Sequence, residues 1–281
     1  TWDDIYKLLP LLQNKNMNFG MPVPVLGVVG GTLGLYATML YQRGGELYKM
    51  SDEYPYDGIT GNLDSDEALD AFKMWTNLFT VHRLPNSYDF SNRFRSGEIP
   101  VAIAGYSSYN LLSVFAPELD GLWEFKKVPG TVREDGTINY STAGTVTACV
   151  MISTCKDRQS AWKFMSWWTG TEAQALFGRE IESLLGSAAR YQTANVAAVE
   201  QLPWDKKSLE AIKDQWQHVI GIPEVPGSYY MGRNIEFAWK EVIGSNSDSN
   251  LVLLEYSKQI NDEIARKRAE FQEKLDNKDL W

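Results

Sequence analysis

The stretch from Phe94 to Phe177 constrains the fold most, because its sequence predicts, in order, a strand, a polar and aromatic turn, a second strand and a helix. The short apolar run Ile99–Ala104 predicts a buried strand. The segment 105–110, Gly-Tyr-Ser-Ser-Tyr-Asn, follows at the carboxyl end of that strand. Ligands of open α/β sheets collect at this end, so the turn is a candidate binding region.

The second half of the stretch predicts another strand and a helix. Residues 144–152 are rich in β-branched side chains and predict a strand. Residues 157–169 predict a helix. One face of that helix carries Ala161, Trp162, Met165 and Trp168. The continuation from Thr171 ends at Gly178, a residue suited to a helix C-cap.

Short segments along the chain occur in the order and spacing of a known family. They resemble extracellular solute-binding protein family 1, the sugar-capturing subunits of ABC importers, at 94–98, Pro129-Gly130, Gly144-Thr145, 161–165 and 171–174. Thr1–Asp4 resembles the opening of the C-terminal lobe of that family, and 40–45 resembles a glycine pair that follows a lobe helix. The resemblance covers nearly the whole chain.

The resemblance implies an α/β fold, the type II periplasmic-binding-protein fold, represented mainly by the C-terminal lobe. Residues 1–143 would form the first part of that lobe, and 204–281 its helical return. Residues 144–203 would cross the hinge and complete the N-terminal lobe. A complete member begins with a signal peptide and an N-terminal lobe, so we expect this chain to lack most of that lobe.

The implied function is capture of a sugar or oligosaccharide between two lobes and its delivery to the transmembrane subunits of an ABC permease. No catalysis, cofactor or metal is implied. The complete protein is expected to be a monomer at an extracellular or periplasmic location, lipid-anchored through a missing N-terminal segment.

Sugar recognition needs flat rings for stacking and polar groups for the ring hydroxyls. Three segments, 106–110, 186–191 and 226–234, supply these groups and resemble ligand-facing loops of the family. The expected ligand-binding residues are Tyr106, Ser107, Tyr109, Asn110, Gly144, Thr145, Arg190, Tyr191, Tyr229, Tyr230 and Arg233. Ser107 or Tyr109 stands where many members have tryptophan, which leaves the identity of the sugar open.

The charge balance argues against nucleic acid as a partner. The chain has 27 Lys plus Arg against 36 Asp plus Glu, a net charge of −9. Such a chain repels phosphate backbones, and no basic and aromatic strip interrupts the acidic composition. Aromatic residues make up 12% of the chain, with ten Trp, which suits both core packing and carbohydrate stacking.

The uncharged segment 16–42 is considered as a membrane span. Its glycines fit the small-residue spacing of packed transmembrane helices. Pro22, Pro24 and the glycine-rich run 27–34 oppose this interpretation, since both residue types disfavour a helix. We expect instead a strand and a ligand-facing loop, followed by a buried helix over Leu33–Gln42.

Several helix starts are marked by capping residues. Thr1 with Asp4 predicts the start of one helix, which Pro10 would strain. Asp64 with Glu67 predicts a capping box for another. The second helix should bury Ala68, Phe72, Trp75 and Phe79 and stop before Leu84-Pro85. The last helix, from about Ser249, should bury a stripe formed by Leu253, Tyr256, Ile260, Ile264, Phe271 and Leu275.

A carbohydrate-active hydrolase is the alternative function. Ser107 or Ser108 on a sharp turn resembles a hydrolase nucleophile, but Tyr109 replaces the required glycine. The two histidines, His82 and His218, lack the sequence context of a catalytic base. A glycosidase needs two carboxylates, and Glu224, Glu236 and Glu241 form no recognisable pattern.

The remaining sequence signals exclude two further classes of site. No Cys/His pair has the spacing of zinc ligands. If Cys149 lies in a strand, the chain holds it roughly 20 Å from Cys155, which is beyond disulfide reach. Both cysteines are therefore expected to be structural thiols.

Overall fold

The computed structural model describes residues 1–22, 29–49 and 59–276. The described residues form two compact units. The first unit draws on Thr1–Tyr88, Val128–Thr145 and His218–Trp281, and the second on Asp89–Lys127 and Val146–Gln217.

This division differs from the predicted segments 1–143, 144–203 and 204–281. Residues 89–127 pack with 146–217 instead of with the rest of 1–143. The last change of unit along the chain falls after residue 217, whereas the predicted boundary falls after residue 203. Trp204 and Ile212 are buried in the second unit with Val199 and Leu202. Which unit corresponds to which lobe of the family stays a prediction.

The helices of the described residues begin and end as follows: α1 Trp2–Gln13, α2 Val29–Gln42, α3 Asp66–Thr80, α4 Phe90–Arg95, α5 Ser108–Phe115, α6 Arg158–Trp168, α7 Thr171–Leu185, α8 Val196–Val199, α9 Lys206–Trp216, α10 Ser228–Ser245 and α11 Ser249–Asp276. The strands are short: β1 Phe19–Gly20, β2 Tyr48–Lys49, β3 Thr60–Gly61, β4 Val101–Ala102, β5 Thr131–Val132, β6 Ile138–Asn139, β7 Thr142–Gly144 and β8 Val219–Gly221.

Three strand pairs lie within the first unit. β2 pairs antiparallel with β3, and β5 pairs antiparallel with β6, with Thr131 opposite Asn139. β7 runs parallel to β8, with Ala143 opposite Ile220. The parallel pair ends at Gly144, where the chain leaves for the second unit.

Both strands expected around the 105–110 turn are shorter than predicted. Ile99 is buried, but Val101 is 40% exposed and the strand β4 has only two residues. The run 144–152 continues β7 only at Gly144, and 145–152 is not a strand. β-branched composition favours a strand only where a neighbouring strand accepts and donates the backbone hydrogen bonds. Cys149 accordingly lies outside any strand, and both cysteines are free thiols.

The core of the first unit is aromatic. Tyr36 of α2 lies edge-on to Phe72 of α3, with ring centroids 6.0 Å apart. Trp239 of α10 packs against Trp75 and Phe79 of α3 at 5.8 and 5.0 Å. The predicted buried face of α3 is thus confirmed, as is the buried helix over Leu33–Gln42 within α2. The strand and loop expected before that helix fall partly outside the described residues.

Local capping follows the sequence with one correction. Thr1 caps α1 with Asp4 in a capping box, as predicted, and α1 continues through Pro10 to its end at Gln13. α3 is capped by Ser65, whose hydroxyl accepts a hydrogen bond from the Ala68 amide at 3.2 Å. The prediction of Asp64 as the cap was therefore wrong by one residue.

The long helix α11 packs on α10. It buries Leu253, Ile260 and Ile264, in agreement with the predicted stripe. Phe271 lies 49% exposed, so the buried stripe ends before it. The side chain of Leu275 lies outside the described part of the chain. None of the helices in the described ranges is both long and apolar enough to cross a bilayer.

Helices α6 and α7 lie in the second unit. α6 agrees with the predicted helix over 157–169, and Asp157 is its N-cap. The predicted apolar face of α6 is not buried, since Trp162 is 63% exposed. α7 continues past Gly178 and ends at Leu185. Its C-cap is Gly186, whose φ of 79° only glycine adopts easily. Gly178 is instead a packing residue, because a Cβ there would lie 2.5 Å from Leu202 Cδ2.

Gln42, at the end of α2, is a fully bonded buried amide. Its side chain is 1% exposed. Its Oε1 accepts hydrogen bonds from Trp2 Nε1 at 2.8 Å and from the Thr131 hydroxyl at 3.0 Å. Its Nε2 donates to the carbonyls of Pro129 and Ser141 at 3.0 and 3.1 Å. Every donor and lone pair of the amide is used. Gln42 thereby joins α1, α2 and the segment 129–141.

We expect Gln42→Met to lower the free energy of unfolding by about 3 kcal/mol, because methionine keeps the length but leaves one buried and three partly buried polar partners unbonded. Urea unfolding followed by circular dichroism measures the change. Gln13→Met is the matched control, since it removes one exposed hydrogen bond to the His82 carbonyl and should cost less than about 1 kcal/mol. Equal losses in the two variants would contradict the role of Gln42.

Candidate functional site

The segment 105–110 lies in the second unit and forms a tight turn that leads into α5. The amides of Ser108 and Tyr109 donate to the carbonyls of Gly105 and Tyr106 at 2.9 and 3.1 Å. Tyr109 and Asn110 therefore lie in the first turn of α5 rather than in a loop. The Ser107 side chain is exposed.

Tyr106 and Tyr109 belong to a cluster of rings in the second unit. We call this group the aromatic cluster: Tyr106, Tyr109, Trp123, Phe125, Trp204 and Trp216. Trp204 lies at its centre and is 9% exposed. The ring centroids of Tyr109 and Trp204 are 4.9 Å apart, and those of Tyr106 and Trp204 are 6.2 Å apart. The other five rings are only half-buried, so each keeps part of its surface accessible.

Arg190 packs inside the aromatic cluster instead of extending to the surface. It is 7% exposed, and its guanidinium carbon lies 4.5 Å from the centroid of the Tyr109 ring. Nε donates to both carboxylate oxygens of Glu182, at 3.1 and 3.0 Å, and Nη2 donates to Oε1 at 2.5 Å. Burial by itself would lower the pKa of Arg190. The hydrogen bonds to Glu182 and the proximity of Tyr109 outweigh burial and raise that pKa.

Asn110 fixes the backbone that carries Arg190. Its Nδ2 donates to the carbonyls of Ala188 and Arg190 at 3.0 and 2.8 Å. Tyr191 follows, half-buried and edge-on to Phe177 of α7, with centroids 4.9 Å apart. The structure therefore brings Tyr106, Ser107, Tyr109 and Asn110 together with the 190–191 segment in one unit.

The other expected site residues lie in the first unit. Gly144 ends β7 opposite Gly221, and a Cβ at Gly144 would lie 2.5 Å from Val219 Cγ1. Thr145 is exposed at the point where the chain leaves the unit.

Tyr229, Tyr230 and Arg233 lie in the first turns of α10. The rings of Tyr229 and Tyr230 meet edge-on with centroids 6.1 Å apart. Tyr230 and Arg233 are three residues apart and so share a face of the helix. Tyr230 is half-buried, whereas Arg233 is exposed. The hydroxyl of Tyr229 donates to the Glu263 carboxylate of α11.

Sequence reasoning missed part of the aromatic cluster and Glu182. Trp123, Phe125, Trp204 and Trp216 are distant from Tyr109 along the chain, so no local pattern connects them. The high tryptophan content was the only signal of such a cluster. Glu182 carries no distinguishing context, since it is one of several acidic residues on α7.

The residues weighed for hydrolysis do not form a recognised arrangement. His82 packs against Tyr6, and His218 lies beside Tyr140, both in the first unit. Ser107 and Ser108 belong to the second unit. Within the described ranges, no group of three or more His, Cys, Asp or Glu side chains is placed to hold a metal ion.

A cavity of about 410 Å³ opens on the first unit between α1, α3 and β5. Arg43 lines this cavity and donates hydrogen bonds to the Met39 carbonyl and to Met74 Sδ. The acidic residues Asp3 and Asp70 also line it. None of the expected ligand-binding residues lines this cavity. Its mixed charges select no class of ligand.

The fold is similar to that of solved sugar-binding proteins of ABC transporters. An ABC transporter solute-binding protein from Thermotoga lettingae TMO, bound with α-D-tagatose, matches with a TM-score of 0.67 at 19% identity, over 94% of this chain and 64% of that one. The sugar-binding protein MalE from Xanthomonas citri matches with a TM-score of 0.72 at 15% identity, over 97% and 65%. The maltose/maltodextrin-binding domain MalE from Bdellovibrio bacteriovorus, bound to maltotriose, gives 0.57 at 16% identity, over 88% and 60%.

These similarities confirm the predicted α/β periplasmic-binding-protein fold. A model of the bacterial extracellular solute-binding protein family matches residues 1–203, so the chain belongs to that family. The chain spans less than two thirds of the length of each of the three solved proteins. No curated protein matches the sequence significantly.

The contact between Tyr229 and Glu263 is testable by titration. Hydrogen bonds from Arg266, and then the one from Tyr229, lower the pKa of Glu263 to about 2. The folded state thus favours the carboxylate. Its contribution to stability is complete above the ordinary value of 4.5 and is lost as the pH falls toward 2.

We expect Tyr229→Phe to raise the pKa of Glu263, because it removes one donor to the carboxylate. Carbon-13 NMR of labelled glutamate measures this value. Tyr256→Phe is the control, since the Tyr256 hydroxyl donates to Glu241 instead. A Glu263 pKa unchanged by Tyr229→Phe would rule out the contact in solution.

Proposed function

We propose that this chain captures a sugar or oligosaccharide and presents it to the transmembrane subunits of an ABC permease. The observation that carries the proposal is the aromatic cluster, in which half-buried rings pack against one another and keep part of their surface accessible. Such rings stack on the apolar faces of sugars. Membership of a solute-binding family, together with the sugars named for the structural neighbours, supports the same ligand class.

Polar groups beside these rings support a hydroxyl-bearing ligand. Arg190 Nη1, Trp204 Nε1 and Asn110 Oδ1 are buried and have no hydrogen-bond partner among the described residues. Buried polar groups in proteins nearly always have a partner. Two donors and one acceptor complement a hydroxyl group, which accepts and donates at once. In this proposal, Ser107 adds an exposed hydroxyl next to Tyr109, and Tyr230 and Arg233 are ligand-binding residues of the first unit.

The proposed protein is a non-catalytic component that acts at an extracellular or periplasmic location. A lipid anchor and a monomeric state remain proposals from the family resemblance. The family and the structural neighbours are transport proteins, which favours binding over hydrolysis.

We expect no catalysis by the purified protein. Aryl-glycosides should remain intact during prolonged incubation, and a fluorophosphonate probe should not label Ser107 or Ser108. Boiled protein supplies the background rate for the glycosides. Turnover above that background, or mass-spectrometric detection of a labelled serine, would favour the hydrolase alternative.

We expect the stacking residues to determine affinity. Sugars that co-purify with the protein would be identified by mass spectrometry, and binding of these, of maltotriose and of tagatose measured by calorimetry. Tyr109→Leu keeps apolar volume but removes the flat face, and Tyr230→Ala removes a second ring. Each change, and Arg233→Lys, should weaken binding by roughly five- to a hundredfold, the equivalent of about 1 to 3 kcal/mol.

Phe164→Leu is the matched control, because Phe164 is a 59% exposed ring of the second unit that lies outside the aromatic cluster. It should leave affinity unchanged. Normal affinity in all three site variants would refute the residue assignment. Absence of binding by the wild-type protein to any co-purified or tested sugar would refute the ligand class.

A further inference from the structure

Arg190 and Glu182 form an ion pair in which the arginine is buried and the carboxylate is largely buried. Their side chains are 7% and 12% exposed. Three N–H···O contacts join the guanidinium to the carboxylate, in the two-pronged arrangement that holds an arginine in one orientation. A buried pair of this kind does little for net stability, because desolvation of the two charges offsets their attraction. The main effect of the pair is therefore expected on the groups that the guanidinium contacts.

The oriented guanidinium touches two rings of the aromatic cluster. Its carbon lies 4.5 Å from the centroid of Tyr109 and 4.7 Å from that of Trp204. These are cation–π distances, and the energy of such a contact depends on the position of the cation over the ring face. The rings of Tyr109 and Trp204 also contact each other at an angle of 61°. The guanidinium and the indole together restrict the tilt of the Tyr109 ring.

A second contact joins the same two segments through backbone carbonyls. Asn110, the neighbour of Tyr109, donates to the carbonyls of Ala188 and Arg190. α5 is thus attached to the 188–190 segment through the amide of Asn110 and through the ring of Tyr109. Glu182 lies on α7 and accepts the hydrogen bonds that hold the Arg190 guanidinium.

We propose that Glu182 and Arg190 are positioning residues that set the orientation of the Tyr109 ring for ligand stacking. The role of Tyr109 as a stacking residue rests on the proposed function, whereas the orientation of its ring does not. Glu182 acts only through Arg190. Arg190→Lys would keep the charge but not the planar two-pronged contact.

Fluorine NMR of protein labelled with 3-fluorotyrosine tests the orientation without any ligand. Tyr109→Phe identifies the Tyr109 resonance by its disappearance. We expect the Tyr109 resonance to be single and narrow in the wild type. In Glu182→Gln and Arg190→Lys, the same resonance should be shifted and broadened, because the ring samples further orientations. Glu98→Gln is the control, since it removes an exposed pair with Arg93 in the same unit and should change nothing.

Calorimetry with maltotriose, well below the melting temperature, gives the second readout. Where the wild type binds this sugar, Glu182→Gln should weaken binding about tenfold, and Glu98→Gln should not. A lower melting temperature with an unchanged Tyr109 resonance would show a merely structural pair and overturn the proposal. Failure of both variants to fold would also overturn it.

The two arms separate this proposal from the proposed function. A displaced Tyr109 resonance supports the positioning role whether or not maltotriose binds. Failure of the wild type to bind any sugar counts against the proposed function and leaves the result for the ring orientation intact.

Discussion

The first unit is organised around the amide of Gln42. Four hydrogen bonds to this side chain join the start of α1, the end of α2 and the segment 129–141. That segment contains the β5–β6 hairpin and leads into β7, so the path of the chain toward Gly144 is set at Gln42. Loss of the amide would leave one buried and three partly buried polar groups unbonded at once, which is costlier than the loss of an equal number of apolar contacts.

The second unit is organised around a charged group instead of a neutral one. Arg190 is held by Glu182 and lies against Tyr109 and Trp204. An arginine of the predicted ligand-facing loop thus has its charge neutralised inside the protein. In the proposed function, Arg190 acts on a sugar through the orientation of the Tyr109 ring and through Nη1. Arg233, in contrast, is exposed on the first unit.

The successes and errors of the sequence predictions have separate physical causes. Helix starts at Thr1 and Asp157 were predicted correctly, because a cap bonds amides only a few residues away. The strand over 144–152 was wrong beyond Gly144, because a strand depends on a partner elsewhere in the chain. Gly178 was expected to end a helix, yet its lack of a side chain serves the close approach of Leu202.

The sequence by itself determined the family, the α/β class, most helix positions and the residue types of the candidate site, since these depend on local periodicity, on capping and on the order of short motifs. Only the tertiary structure decided that 89–127 packs with 146–217, that Trp123, Phe125, Trp204 and Trp216 surround the two tyrosines, and that Arg190 is paired with Glu182. Local pattern carries no information about which distant side chains share an interior. Packing and the need to bond buried polar groups select those partners.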